Sequence, residues 1–74
     1  MGLVLKSREL IRFLESKGFR FVRSRGSHHV YTDDKHTLPV PVHKGKDISE
    51  ELIKLILNEA GFTKKELLKY LGRQ

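Results

Sequence analysis

Apolar residues recur along this chain in two rhythms, and the changes of rhythm divide it into elements. Leu10, Ile11, Phe13 and Leu14 follow a helical period. With Ser7 as N-cap, Glu9 in the first turn and Lys17-Gly18 as a stop, they predict a helix over residues 8–17. Leu10 and Leu14 face the core with Phe13 or Ile11 flanking them, and Arg8, Arg12 and Glu15 form the wet side. The period then drops to two. Phe19-Arg20-Phe21-Val22-Arg23 reads as a strand with Phe19 and Phe21 on one face, and His28-His29-Val30-Tyr31-Thr32 reads as a second. Asp33-Asp34-Lys35 is the turn into a third strand over residues 36–42, where Leu38, Val40 and Val42 share a face. Pro39 and Pro41 are two apart, so their missing N–H groups lie on one side of that strand, which must therefore be a sheet edge.

The helical period returns in Ile53, Ile56, Leu57 and Ala60, broadened by Leu52, capped by Asp47 or Ser49 and ended by Gly61. Thr63 and Glu66 are spaced as a capping box, with Phe62 and Leu67 as its hydrophobic staple, and predict a last helix over residues 64–71. The order helix, three strands, helix, short helix makes an α+β domain over residues 1–74: a three-stranded antiparallel meander with helices on one face.

Composition adds constraints. Seventy-four residues allow one domain with a small core. The absence of cysteine rules out disulfides and thiolate metal sites and fits a cytoplasmic protein. The apolar start, Met1 to Leu5, is too short for a signal peptide, and no apolar run approaches membrane-spanning length. Gly2 invites a myristoylation reading, but Lys6 stands where Ser or Thr is needed. Fifteen Lys and Arg against nine Asp and Glu give a net charge of +6, which favours a polyanionic partner. Lys17, Arg20, Arg23 and Arg25 form one basic stretch with no acid among them, and His43-Lys44-Gly45-Lys46 forms another.

The chemistry concentrates at Arg23-Ser24-Arg25-Gly26-Ser27-His28-His29. Arginine presents a planar, permanent charge that suits phosphate, and histidine exchanges protons near neutrality. Read blandly, this is a basic hairpin turn on a solvated edge. Strand parity separates the two histidines. If Val30 is the core residue, His29 points to the outer face beside Tyr31, and His28 points inward or to the rim; a bulge would reverse this.

Three segments together resemble the HicA toxin family of bacterial and archaeal toxin–antitoxin systems. They are Gly26-Ser27-His28-His29 with Val30-Tyr31, then Val40-Pro41-Val42-His43-Lys44-Gly45-Lys46-Asp47-Ile48, then Ile56-Leu57-Asn58-Glu59-Ala60-Gly61-Phe62, within about residues 7–62. The resemblance implies an α-β-β-β-α fold like the double-stranded-RNA-binding domain, cleavage of messenger RNA, and a HicB antitoxin partner that blocks the active site. It also implies a catalytic histidine after G-S-x, which is His29 here. The final helix lies beyond that pattern.

On this reading His29 is a general base that takes the ribose 2′-OH proton, so that the freed oxygen attacks the adjacent phosphorus. Arg23, Arg25, Lys44 or Lys46 stabilise the charge that develops. Ser27, His28 and Tyr31 complete the expected RNA-binding set, and His28, His43 or Tyr31 could supply the acid. His36 reads as a solvated turn residue. The histidines lack zinc-ligand spacing and the acids form no two-metal cluster, so the expected chemistry needs no metal or other cofactor. The competing readings are a module that grips double-stranded RNA without cutting it, and an interaction domain for an acidic protein.

Overall fold

The computed structural model describes residues 3–43 and 45–72. Its elements are β1 (Leu5–Lys6), α1 (Ser7–Ser16), β2 (Arg20–Arg25), β3 (His28–Thr32), β4 (Thr37–Pro41), β5 (Asp47–Ile48), α2 (Glu50–Ala60) and α3 (Lys64–Leu71). Strands β2-β3-β4 form an antiparallel meander with β4 at one edge, as its two prolines require. The fold is α+β with the three predicted helices. Beside it stands a pairing that two-residue strands are too short to announce: β1 lies antiparallel to β5, with Leu5 opposite Ile48 and Lys6 opposite Asp47.

Helix ends follow the local chemistry, with one shift. Ser7 is the first residue of α1, and Lys6 takes the cap position, its backbone N–H donating to Glu9 Oε1 at 3.0 Å. Both long helices stop in the same way. At the end of α1, Gly18 N–H donates to Glu15 O and Phe19 N–H to Leu14 O; at the end of α2, Gly61 N–H donates to Asn58 O and Phe62 N–H to Leu57 O. Gly18 and Gly61 sit at φ of +97° and +84°, the left-handed turn that this double bond needs. The stop then delivers Phe19 and Phe62 back toward the core. Ser49 caps α2, its hydroxyl accepting from Leu52 N–H, and Thr63 with Glu66 makes the capping box of α3.

A single core lies between helices and sheet. It takes Leu10, Phe13 and Leu14 from α1, Ile53, Ile56 and Leu57 from α2, and Leu67 from α3. The sheet gives it Tyr31, Leu38 and Val40. Phe13 is its hub, with Phe62 and Tyr70 edge-on at centroid distances of 5.5 Å each. Glu50 ties the ends together. Its carboxylate accepts from Leu3 N–H at 2.6 Å and from Lys64 Nζ at 2.7 Å, with Lys54 Nζ at 3.2 Å. The Lys64 hydrogen bond first, then Leu3 and Lys54, hold this carboxyl down to about 2.

Two loops fix how the sheet presents its side chains. Gly26-Ser27 is a two-residue hairpin turn with Gly26 at φ +60° in the first central position, where a positive φ matches the strand twist. The second loop is one residue longer than the predicted turn and runs over residues 33–36. Asp33 Oδ1 accepts from Lys35 N–H and His36 N–H, Thr32 Oγ1 bonds His36 O, and Asp34 takes φ +76°. His36 is therefore a built part of the loop, its Nδ1 3.2 Å from Asp33 Oδ2, and not a merely solvated turn residue.

Candidate active site

That extra loop residue decides which way the site faces. Tyr31 stands opposite Leu38, and His29 opposite Val40. Leu38 and Val40 are fully buried under the helices, so Tyr31 and His29 point to the helix-covered face. The parity expectation is overturned: a one-residue change of register turns every side chain over. Tyr31, expected outside and on RNA, is only 6% exposed and belongs to the core. Burial, and then the charge of Glu15 on α1, raise its hydroxyl pKa. His29 is half-buried on the same side, its ring 5.5 Å from that of Phe21.

His28, Val30, Pro39 and Pro41 point to the other, more open face, where His28 and Pro39 are exposed. Val30 reaches 8% exposure there, outside the main core cluster.

A bulge in β2 brings the arginines to this open face. Phe21 pairs with Tyr31 and Arg23 with Val30, so Val22 is the extra residue. Strict alternation after Arg20 would turn Arg23 and Arg25 under the helices. The bulge instead sets Arg23 opposite Val30 and Arg25 opposite His28. Phe21, before the bulge, stands opposite Tyr31 on the helix side, but it is half-exposed where Phe19 is buried in the core.

The basic stretch resolves into unequal members. Arg20 is held by Asp34 through two bonds of 2.7 and 3.1 Å, which push the Arg20 pKa up and the Asp34 pKa down. Lys17 lies on the helix side, its ammonium 5.7 Å from the Phe13 ring centroid and 5.9 Å from that of Phe62. Arg23 and Arg25 have no ion-pair partner among the described residues. With His28 they line a concavity of about 540 Å³ floored by Val30 and Pro39.

His28 also lines a second concavity, of about 390 Å³, with Pro41, His43, Lys46 and Ser49. Two imidazoles separated by fifteen positions in sequence thus border one groove. Ser27 is half-buried in the turn, where its carbonyl accepts from Val42 N–H at 2.6 Å. Lys44, expected on RNA, and Gly2 lie outside the described residues. Among the described residues no three His, Asp or Glu side chains group as metal ligands, and no helix is long and apolar enough to cross a membrane.

The arrangement offers phosphate ligands beside groups that can move a proton. The sequence reading found these residue types but missed that His43 shares a groove with His28; the nearness of Pro41 to both in the strand register was the signal available. A protein-family model described as the HicA toxin of bacterial toxin–antitoxin systems matches residues 7–62. No curated protein and no solved structure matches the chain.

Proposed function

The chain belongs to the HicA toxin family of bacterial toxin–antitoxin systems, and from that premise we propose that it is a ribonuclease that cuts messenger RNA on the open face of its sheet. The observation that carries this reading is the position of His28, between a second imidazole and two arginines that have no ion-pair partner among the described residues. His28 takes the proton of a ribose 2′-OH. The 2′-oxygen forms a bond to the adjacent phosphorus, the bond from phosphorus to the 5′-oxygen breaks, and His43 gives the leaving oxygen a proton. Arg23 and Arg25 face the charge that builds on the phosphorane. The scheme uses side chains alone and assigns no step to a metal.

His29, the residue to which the family resemblance points, is the second candidate for the base. Half-exposure and the neighbouring Phe21 ring, on which an RNA base could stack, favour it. Paired substitutions separate the two. His28→Ala is expected to fold normally and to lose about 10²-fold or more in the cleavage of a defined RNA, read on gels. His29→Ala is expected to lower the melting temperature and to reduce activity only in proportion. A folded, inactive His29→Ala beside an active His28→Ala would move the base to His29. Wild-type protein that binds RNA with strong salt dependence and yields no product would leave an RNA-binding module. Activity that survives EDTA would agree with the metal-free scheme.

The family also supplies an antitoxin partner, which we take to be HicB-like. Carboxylates of such a partner set against Arg23 and Arg25 would occlude the same face. RNA and antitoxin should therefore compete, and simultaneous binding with neither affinity reduced would contradict occlusion.

A further inference from the structure

A third concavity, of about 380 Å³, lies where β1 runs into α1 and is lined by Lys6, Ser7, Arg8, His43, Gly45 and Lys46. It adjoins the groove of the two histidines, because His43 and Lys46 border both. That groove in turn shares His28 and Pro39 with the arginine concavity. The three make one track. It starts at Arg23 and Arg25 on the open face, passes His28, rounds the β4 edge and ends at Arg8.

The charges along it are not uniform. Asp47 borders the middle section and pairs with the Lys6 ammonium at 2.8 Å, so the Lys6 charge is already engaged. Arg8 and Lys46 have no ion-pair partner among the described residues. The far end is thus cationic on its own account, at the positive end of the α1 dipole. The edge that the track rounds carries Pro39 and Pro41, whose missing N–H groups prevent a peptide strand from adding there. A ligand that follows this path must bring repeated negative charge without strand pairing, and must bend round an edge. Both features suit a single-stranded polynucleotide better than a duplex or a protein strand.

We infer that Arg8, with Lys46, forms a second phosphate subsite, which holds single-stranded RNA beyond His43, at a distance from the bond cut beside His28. This rests on the ribonuclease reading above. Arg8 is a positioning residue that acts through the substrate's reach and not on the reacting atoms.

The test compares Arg8→Gln with Arg12→Gln, a loss of equal charge one turn further along α1 and outside the track. The probes are single-stranded RNAs cut at one central step, complete or shortened from either end, and a non-cleavable version with a 2′-deoxy residue at that step. Arg8→Gln is expected to raise KM about tenfold on the complete RNA with kcat unchanged. It should lower the salt slope of binding by about 0.7. An RNA shortened at the Arg8 end should be cut equally by wild type and variant, and Arg12→Gln should match wild type throughout. Equal behaviour of Arg8→Gln and wild type on the complete RNA would overturn the subsite, as would an equal loss on complete and shortened RNA. If the wild type cuts nothing, the ribonuclease reading fails, and the subsite is then judged on the non-cleavable RNA. There, a lower slope for Arg8→Gln supports it and an unchanged slope, or no binding, overturns it. A preference for duplex over single strand would also overturn it.

Discussion

The two faces of the meander are built from the same strands and do opposite work. On one, Tyr31, Leu38 and Val40 are at most 6% exposed and pack under the helices. On the other, Arg23, Arg25 and His28 stay wet around Val30, Pro39 and Pro41. Because side chains alternate along a strand, adjacent residues of β3 belong to different environments. His28 and His29 are chemically identical neighbours, and the register between β3 and β4 decides which one lies on the open face beside Arg25. The covered face holds the fold together; the open face is left to carry charge that the core could not tolerate.

The largest expected effect falls on the covered face. Phe13→Ala removes the ring against which Phe62 and Tyr70 pack and over which Lys17 lies. A truncation of this kind costs about 3–5 kcal/mol, which is a large part of the stability of a small domain. Thermal melting should fall by on the order of 20 °C. At a temperature low enough to keep the variant folded, its affinity for RNA should match that of the wild type. A folded variant with much weaker RNA binding would break the division of labour between the faces.

The next effect falls on the open face and sharpens the contrast within the basic stretch. Replacing Arg23 and Arg25 together by Gln should leave the melting temperature almost unchanged, since both are exposed and unpaired among the described residues. The slope of log affinity against log salt should fall by about 1.4, from about 0.7 for each single-strand phosphate contact. Arg20→Gln should change that slope less, because the Arg20 charge is already engaged by Asp34. It should instead lower the melting temperature slightly as the tether between β2 and the β3–β4 loop is lost. Equal slope changes at Arg20 and Arg23 would mean that the Asp34 pair does not withdraw Arg20 from the phosphate surface.

What the sequence revealed follows the range of the forces involved. Thr63 with Glu66, Gly61, and the two prolines of β4 act within a few residues, and α3, the end of α2 and the sheet edge lie where they were expected. The facing of the site depends on a relation between strands. A three-residue turn at 33–35 sets Val30 against Leu38; the observed loop, held by Asp33 and closed by Thr32 and His36, sets Tyr31 there. One residue of loop length therefore decided the faces read for His28, His29 and Tyr31. Val30 added to the error, since its apolar side chain suits the centre of a small sheet on either face. The β1–β5 pair left no pattern because two residues cannot show a period.

The smallest expected effect tests the bulge that places the arginines. Val22 is half-exposed, and it is the residue of β2 that has no counterpart in β3. If the bulge absorbs it, deletion of Val22 lets Phe21 and Arg23 follow one another in regular alternation. Phe21 then keeps its place opposite Tyr31, and Arg23 and Arg25 keep theirs opposite Val30 and His28. The deletion should therefore fold, with a change of about 1 kcal/mol in stability. Its salt slope for RNA binding should be that of the wild type. If β2 were instead regular, the same deletion would exchange the faces of every residue on one side of it. Strict alternation from Arg20 would hold Arg23 and Arg25 under the helices in the wild type, so the deletion would turn them out to the open face and steepen the salt slope. A folded deletion protein with a steeper slope than the wild type would show that β2 runs in regular alternation, with the arginine face set by strict parity along the strand.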